Sequence, residues 1–208
     1  MNEEILINIT PQETRVALIQ QAAVQELQIE RTRQRGIVGN IYLAKVVRVL
    51  PGMQSAFIEM GLERTAFMHV ADIAQQNQQT QIEKVLYEGQ TVIVQVLKDP
   101  LGTKGARLTT QISIAGRNLV YLPQSQKESG DEPYIGISQR IENQDEREVI
   151  KARIAGLLPS NQTGGIIVRT IAQDATDAEL TLDLHYLKKT WETILASVNQ
   201  KSAPALLF

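Results

Sequence analysis

Two aromatic residues, Phe57 and Phe67, sit ten positions apart in short apolar runs, Ser55–Ile58 and Ala66–His69, within a chain whose aromatics make up only 4% of its residues. Lys98, Lys104 and Arg107 follow around a Gly102 and Gly105 loop. Exposed rings beside cations are what base stacking with phosphate contact requires, and a stacked base contributes roughly 1–3 kcal/mol without regard to sequence. The competing reading is that both rings fill a barrel core, the ordinary fate of an apolar strand residue. Pattern alone leaves the two open. A second candidate is Arg169-Thr170 at the end of the run Gly165-Ile-Ile-Val. A guanidinium fork beside a hydroxyl can hold a phosphate through charge-assisted hydrogen bonds, although a surface arginine at a strand end has the same appearance. The remaining chemistry-bearing residues are dispersed. Asp72, Asp99, Asp145, Asp174, Asp177 and Asp183 show no spacing that gathers a pair around a metal, and Asp174 and Asp177 read as helix-start residues. His69 and His185 are remote from each other and from an obvious acid, so neither is expected to be a general base or a ligand.

The elements that must position these groups begin with a run rich in β-branched and aromatic residues, Gly36 through Leu50, closed by Pro51-Gly52. It predicts a long first strand. The runs Ser55–Ile58, Ala66–His69, Thr91–Leu97 and Ala106–Ile114 supply four more, with glycine or proline at the turns. Five short strands of this kind predict a small closed β-barrel of the OB type. Between them, Ala74-Gln-Gln-Asn-Gln-Gln-Thr-Gln is a polar loop by composition, and Ile82–Glu88 predicts two helical turns stopped by Gly89. Before the barrel, Ile5–Ile9, Arg15–Ile19 and Val24–Glu30 alternate with period two and predict an antiparallel meander. Three such strands need helices over one face. The helices come only after the barrel, which argues for an insertion.

After the barrel, Arg117–Pro123 predicts a strand returning to the first sheet. Gln124–Pro133 is a loop by composition and Ile135-Gly-Ile-Ser-Gln-Arg-Ile a short extended run. Acids at the start of the segment opening at Asn143 suit the positive end of a helix dipole, with Val149, Ile150, Ile154 and Leu157 as its apolar stripe and Pro159–Gly165 as its end. Asp177–Val198 is the longest predicted helix, with Leu180, Leu184, Leu187, Trp191, Ile194 and Val198 at spacings of three and four. The fold class expected is α+β.

With 208 residues, 43% hydrophobic and 21% charged, the chain is of ordinary globular composition and long enough for a sizeable core. It has no cysteine, which excludes disulfides and thiolate metal sites and suits a reducing cytoplasm. A net charge of −2 gives no overall pull on nucleic acid, so any such site must rest on a local patch. Arg31, Arg33, Arg35, Lys45 and Arg48 form the densest one, although a solvated basic turn has the same signature. There is no signal-peptide pattern and no apolar run of membrane-spanning length. A cytoplasmic location with no membrane partner is expected.

Three stretches carry a resemblance. Gly36-Ile-Val-Gly-Asn-Ile-Tyr, Val49-Leu-Pro-Gly-Met-Gln-Ser-Ala-Phe-Ile-Glu-Met-Gly and Asp99-Pro-Leu-Gly-Thr-Lys-Gly-Ala-Arg-Leu-Thr-Thr look like the amino-terminal part of the ribonuclease E/G family, its ribonuclease G members above all. The similarity runs over the whole chain. It implies an S1-type OB-fold barrel at 36–115 inserted into an RNase H-like α/β subdomain, formed by 1–35 and 116–208. It implies RNA contacts by Phe57, Phe67 and Lys104, and a pocket for the 5′-monophosphate of single-stranded RNA. There Gly116 and Val120 would touch the terminal nucleotide while Arg169 and Thr170 hold the phosphate, with Arg140 a nearby candidate.

In such proteins a following DNase I-like domain supplies paired aspartates that hold Mg²⁺, and a Cys-Pro-x-Cys zinc link joins protomers into a homo-oligomer. This chain has neither the link nor a visible aspartate pair, and Ala203–Phe208 looks like the entrance to that next domain. The whole protein is expected to be an Mg²⁺-dependent endoribonuclease. It would cut A/U-rich single-stranded RNA in RNA processing and decay and leave 5′-phosphate products. The 208-residue chain, with no cofactor of its own, is expected to bind RNA without cutting. The alternatives are a self-contained nuclease with an acidic cluster hidden in the sequence, and an RNA- or protein-interaction module. RNase H-like shape would not by itself confer RNase H activity.

Overall fold

A computed structural model describes residues 3–32, 35–74, 80–125, 133–159 and 162–208. Two compact units divide after Ile37.

The first unit is a meander of β1 (Glu3–Ile9), β2 (Glu13–Gln20) and β3 (Ala23–Arg31). All its pairings are antiparallel, with Ile9 opposite Thr14 and Glu13 opposite Arg31. Thr10 closes the first hairpin: its hydroxyl accepts the Glu13 N–H at 3.1 Å. Gln21 and Ala22, both at positive φ, make the two-residue turn of the second.

The second unit opens with the barrel. Gly39, at φ +89°, bends the chain into β4 (Ile41–Leu50), so the first barrel strand starts later than the run from Gly36 predicts. Then come β5 (Ser55–Glu59), β6 (Ala66–His69), β7 (Thr91–Lys98) and β8 (Arg107–Thr109). They close in the order β4-β5-β6-β8-β7-β4, with β6 and β8 parallel and every other pair antiparallel. This is the five-stranded OB topology. The period-two alternation sends Ala56, Ile58, Ala66, Met68, Val94, Val96 and Leu108 inward, each at most 1% exposed. The predicted helix at Ile82–Glu88 is one 3-10 turn, Ile82–Lys84, with Ile82 buried as its anchor. Most of the glutamine-rich loop, 75–79, lies outside the described residues.

The predicted fifth strand, Ala106–Ile114, divides in two. Past Thr109 the chain turns, and β9 (Ile114–Ala115) joins a different sheet with β10 (Leu119–Leu122), β11 (Ile135–Ile137) and β12 (Gly165–Val168). The order there is β11-β12-β10-β9, with only β11 and β12 parallel. β10 was expected to return to the meander. It pairs instead with β9 and β12. Most of the predicted 124–133 loop lies outside the described residues, as do 160 and 161.

α1 (Gln144–Leu157) is capped by Asn143, whose side chain accepts the Glu146 N–H. It buries Ile150 and Ile154. Val149, expected on the same stripe, is 67% exposed, because it lies one position, and so about 100°, from Ile150. α2 (Asp177–Val198) occupies the predicted range, starts on a capping box between Thr176 and Glu179, and buries Leu180, Leu184, Leu187 and Ile194. These residues form one core with Leu119, Tyr121, Ile166 and Val168 of the sheet and with Ile41 of the barrel. The chain's last strand, β13 (Ala205–Leu206), lies antiparallel on the edge of β4 opposite Leu43 and Tyr42. The architecture is α+β. No described helix is long and apolar enough to cross a membrane.

Candidate nucleic-acid interface

Alternation decides where the two rings go. Ala56 and Ile58 point into the barrel, so Phe57 between them points out and is 36% exposed. Phe67 lies outside between Ala66 and Met68, half-buried. The two are direct cross-strand partners, their centroids 6.3 Å apart and planes inclined at 67°, the edge-to-face arrangement that the aromatic quadrupole favours. Neither ring belongs to the core.

Beside them opens a groove of about 980 Å³, whose walls include Phe57, Phe67, Lys98, Leu101, Lys104 and Arg107. Lys104 sits at the end of a tight turn in which Leu101 and Lys104 exchange backbone hydrogen bonds at 3.1 and 3.0 Å. Arg64 donates to the Gly102 carbonyl and ties that turn to the barrel. Gly105 is required where it stands, since a Cβ there would lie 1.9 Å from the Thr65 carbonyl oxygen. Lys98 and Lys104 are exposed. Arg107, expected as a phosphate contact, is engaged otherwise: its Nε and Nη2 donate to Asp72 Oδ2 and Oδ1, both at 3.0 Å. The Asp72 hydrogen bonds, and then its charge, hold the guanidinium pKa above the usual arginine value, so this cation is already compensated.

The second site lies at the carboxyl end of β12. Arg117, Ser138, Arg140, Arg169, Thr170 and Ile171 are among the residues around an open cavity of about 640 Å³. Three arginines and two hydroxyl-bearing residues thus line one space. The hydroxyls of Ser138 and Thr170 are 2.9 Å apart. Arg147 of α1 fixes the Ser138 loop by donating to the carbonyls of Ser138 and Ile141 at 2.9 and 3.0 Å. Arg169 Nη1 donates to the Gly116 carbonyl at 2.7 Å, which orients the guanidinium.

The Gly116 loop is held in turn by Asp183 of α2, whose carboxylate accepts the N–H groups of Arg117, Asn118 and Leu119 at 3.2, 2.8 and 2.9 Å. A Cβ on residue 116 would lie 2.4 Å from Asp183 Oδ1, so the carboxylate and the glycine are matched. Of the four expected sensor residues, Arg169 and Thr170 line the cavity, and Gly116 is joined to it through Arg169. Val120 sits in β10 opposite Ile167 and Ala115 and is not among the lining residues.

Two family models meet between the barrel and the second sheet. Residues 37–110 match the S1 RNA binding domain, and residues 113–208 match the Ribonuclease E/G family. The chain carries a ribonuclease E/G family domain behind an S1 domain. It is 45% identical to Ribonuclease G of Haemophilus influenzae (strain ATCC 51907 / DSM 11121 / KW20 / Rd) over 203 residues, 92% of this chain and 40% of that protein. It is 46% identical to Ribonuclease G of Escherichia coli (strain K12) over 206 residues, 94% of this chain and 40% of that protein. With Ribonuclease E of the same strain it shares 36% over 214 residues, 99% of this chain and 19% of that protein. The chain therefore spans about 40% of the length of its ribonuclease G relatives.

The basic run around residues 31–48 is less free than its sequence suggests. Arg31 lies 3.5 Å from Glu13 and Arg35 lies 3.7 Å from Glu30, while Arg33 is outside the described residues. Three of the acids have structural partners. Asp72 holds Arg107, Asp177 accepts from Arg153 Nε at 2.6 Å, and Asp183 holds backbone. His69 Nδ1 accepts the Ala71 N–H at 3.1 Å and caps a 3-10 turn. Among the described residues no group of three or more His, Asp and Glu side chains is placed to hold a metal ion.

The sequence reading missed Arg117, Ser138, Arg147 and Asp183 as parts of the second site. Arg117 was visible beside Gly116. Asp183 carried no signal, because an acid on the polar side of a helix is ordinary until the loop it holds is known.

Proposed function

We propose that this chain is the RNA-binding and 5′-monophosphate-sensing region of a ribonuclease G/E-like endoribonuclease. The observation that carries this reading is the outward-facing Phe57–Phe67 pair beside exposed Lys98 and Lys104 on an S1-type barrel. Bases stack on the rings, Lys104 takes phosphate, and the contact tolerates sequence. The pocket of Arg140, Arg169 and Thr170, with Arg117 and Ser138 beside them, is the receptor for the RNA's 5′-phosphate. Arg169 supplies a forked donor and Thr170 a hydroxyl, a pairing suited to a dianionic terminal phosphate. Gly116 and Val120 serve the adjoining nucleotide, Gly116 through its position under Arg169.

The assignment of the meander and the second sheet to one RNase H-like subdomain, with the barrel inserted at 36–115, belongs to this reading. So do Mg²⁺-dependent cleavage of A/U-rich single strands, homo-oligomerisation and cytoplasmic work in RNA processing and decay, all properties of the whole protein. The chain alone binds and does not cut, with cleavage assigned to a following domain.

Fluorescence anisotropy at one fixed salt concentration tests it. The probes are two A/U-rich single-stranded RNAs differing only in a 5′-phosphate or 5′-hydroxyl. Tighter binding of the phosphorylated probe, lost in Arg169→Ala, is the expected result. Equal binding to both would remove the sensor from this chain and leave the barrel. No binding to either would overturn the reading and favour a protein-interaction module. Mg²⁺-dependent cutting by the chain that disappeared in an Asp99→Ala or Asp174→Ala variant would favour a self-contained nuclease.

A further inference from the structure

The two rings are the middle of a longer row. Reading the pairings across the barrel, Arg48 on β4 stands opposite Phe57, Phe57 opposite Phe67, Phe67 opposite Arg107, and Arg107 opposite Lys98 on β7. Cross-strand partners share a face, so five consecutive strands present cation, ring, ring, cation, cation around the outside of the barrel.

Both end positions depend on an irregularity. The registers of β4 with β5 and of β7 with β8 shift once each, between Val46 and Arg48 and between Val96 and Lys98. Val46 and Val96 are each 1% exposed and point into the barrel. Strict alternation would send Arg48 and Lys98 inward as well. The extra residue at each shift, Val47 or Leu97, absorbs one step of the pleat, and the cation after it emerges outside. Two bulges in two strands thus produce the same result, a positive side chain at each end of the ring row. Among the described residues neither Arg48 nor Lys98 has an ion-pair partner, in contrast to Arg107 between them, which Asp72 compensates.

We propose that single-stranded RNA lies along this row, across the barrel strands, with Arg48 and Lys98 gripping phosphates on either side of the bases stacked on Phe57 and Phe67. The row crosses four strand spacings, about 19 Å along the surface at ~4.8 Å each. That suits a short site of roughly four nucleotides, the lower end of OB-fold site sizes. The inference rests on the platform reading and adds the direction of the strand and its two end anchors.

The experiment is the salt dependence of RNA binding by the 208-residue chain, using an unphosphorylated A/U-rich oligonucleotide. Arg48→Gln, Lys98→Gln, their double variant, Lys45→Gln and Phe57→Ala are compared, with melting temperatures as a check on folding. Each end substitution is expected to weaken binding about tenfold, one charge-assisted contact. Each should also lower the slope of log K against log salt by about 0.7, the single-strand value per phosphate. The double variant should show both losses, and Lys45→Gln, outside the row, little change. A slope change distinguishes phosphate contact from a fold defect. If Phe57→Ala weakens binding while Arg48→Gln leaves affinity and slope unchanged, the row is overturned and the platform stands. If the unsubstituted chain does not bind, the platform fails with it.

Discussion

Phe57 and Phe67 face each other across β5 and β6 in edge-to-face contact, each projecting outward from a strand whose flanking residues are buried. Because they pack on the surface and not in the core, replacing them should separate binding from stability. Phe57→Ala and Phe67→Ala are expected to weaken RNA binding by about 1–3 kcal/mol each, the usual contribution of a stacked base. The double variant should lose less than the sum, since each ring also orients the other. Circular-dichroism melts should move by only a few degrees, and a collapse of the fold in either variant would return the rings to a structural role.

Asp72 neutralises Arg107 on that surface. Asp72→Asn removes the charge while keeping a hydrogen-bonding side chain beside Arg107. RNA affinity at low salt should then rise several-fold, with a steeper salt slope, because a cation is released to the phosphates. Titration at several salt concentrations checks it. Weaker binding with an unchanged slope would mean that Asp72 matters by positioning Arg107.

The closed barrel and the long helix were legible in the sequence because their signals are local. Alternation between Pro and Gly turns marks strands, and the spacing of Leu180, Leu184 and Leu187 marks a helix face. The divided strand at Ala106–Ile114 was not legible, since its apolar pattern continues across the turn at Thr110 and Gln111. Whether Phe57 lay inside or out depended on register with Ala56 and Ile58, which the strand pattern contains but which the sequence reading did not use. Arg107 looked like a free cation because Asp72 lies 35 positions away. Similarly, 66 positions separate Asp183 from Arg117. Such long-range partners are what a single sequence conceals.

Asp183 ties the Gly116 loop to α2 through three backbone N–H groups. Asp183→Ala leaves those donors without their anionic acceptor and is expected to destabilise the chain by about 2–4 kcal/mol. Discrimination between 5′-phosphate and 5′-hydroxyl RNA should fall in the folded fraction, as the Gly116 carbonyl that orients Arg169 loosens. Gly116→Ala should reproduce both effects, because its Cβ would collide with the same carboxylate. Denaturant titration and paired anisotropy measurements check the two together. Full discrimination in a folded Gly116→Ala variant would detach the loop from the sensor.

At the start of α2, Glu179 accepts from the Thr176 backbone N–H and hydroxyl, both at 2.8 Å, while the Thr176 hydroxyl accepts the Glu179 N–H at 3.3 Å. The backbone bond first, then the hydroxyl, and to a lesser degree the charge of Arg117, lower the Glu179 pKa below its ordinary value. A carboxylate with a depressed folded pKa contributes stability that is complete above its unfolded pKa of about 4.3 and disappears as pH falls through the folded value. The melting temperature of the unsubstituted chain should therefore exceed that of Glu179→Gln by a constant margin above about pH 5, and the margin should shrink below about pH 4.3. Thr176→Ala removes the other half of the box and should cost about 1 kcal/mol. Since the helix that begins here carries Asp183, both variants should also dull the 5′-phosphate preference slightly. A margin between the unsubstituted chain and Glu179→Gln that stayed constant down to pH 3 would show that the carboxylate charge is not what caps the helix.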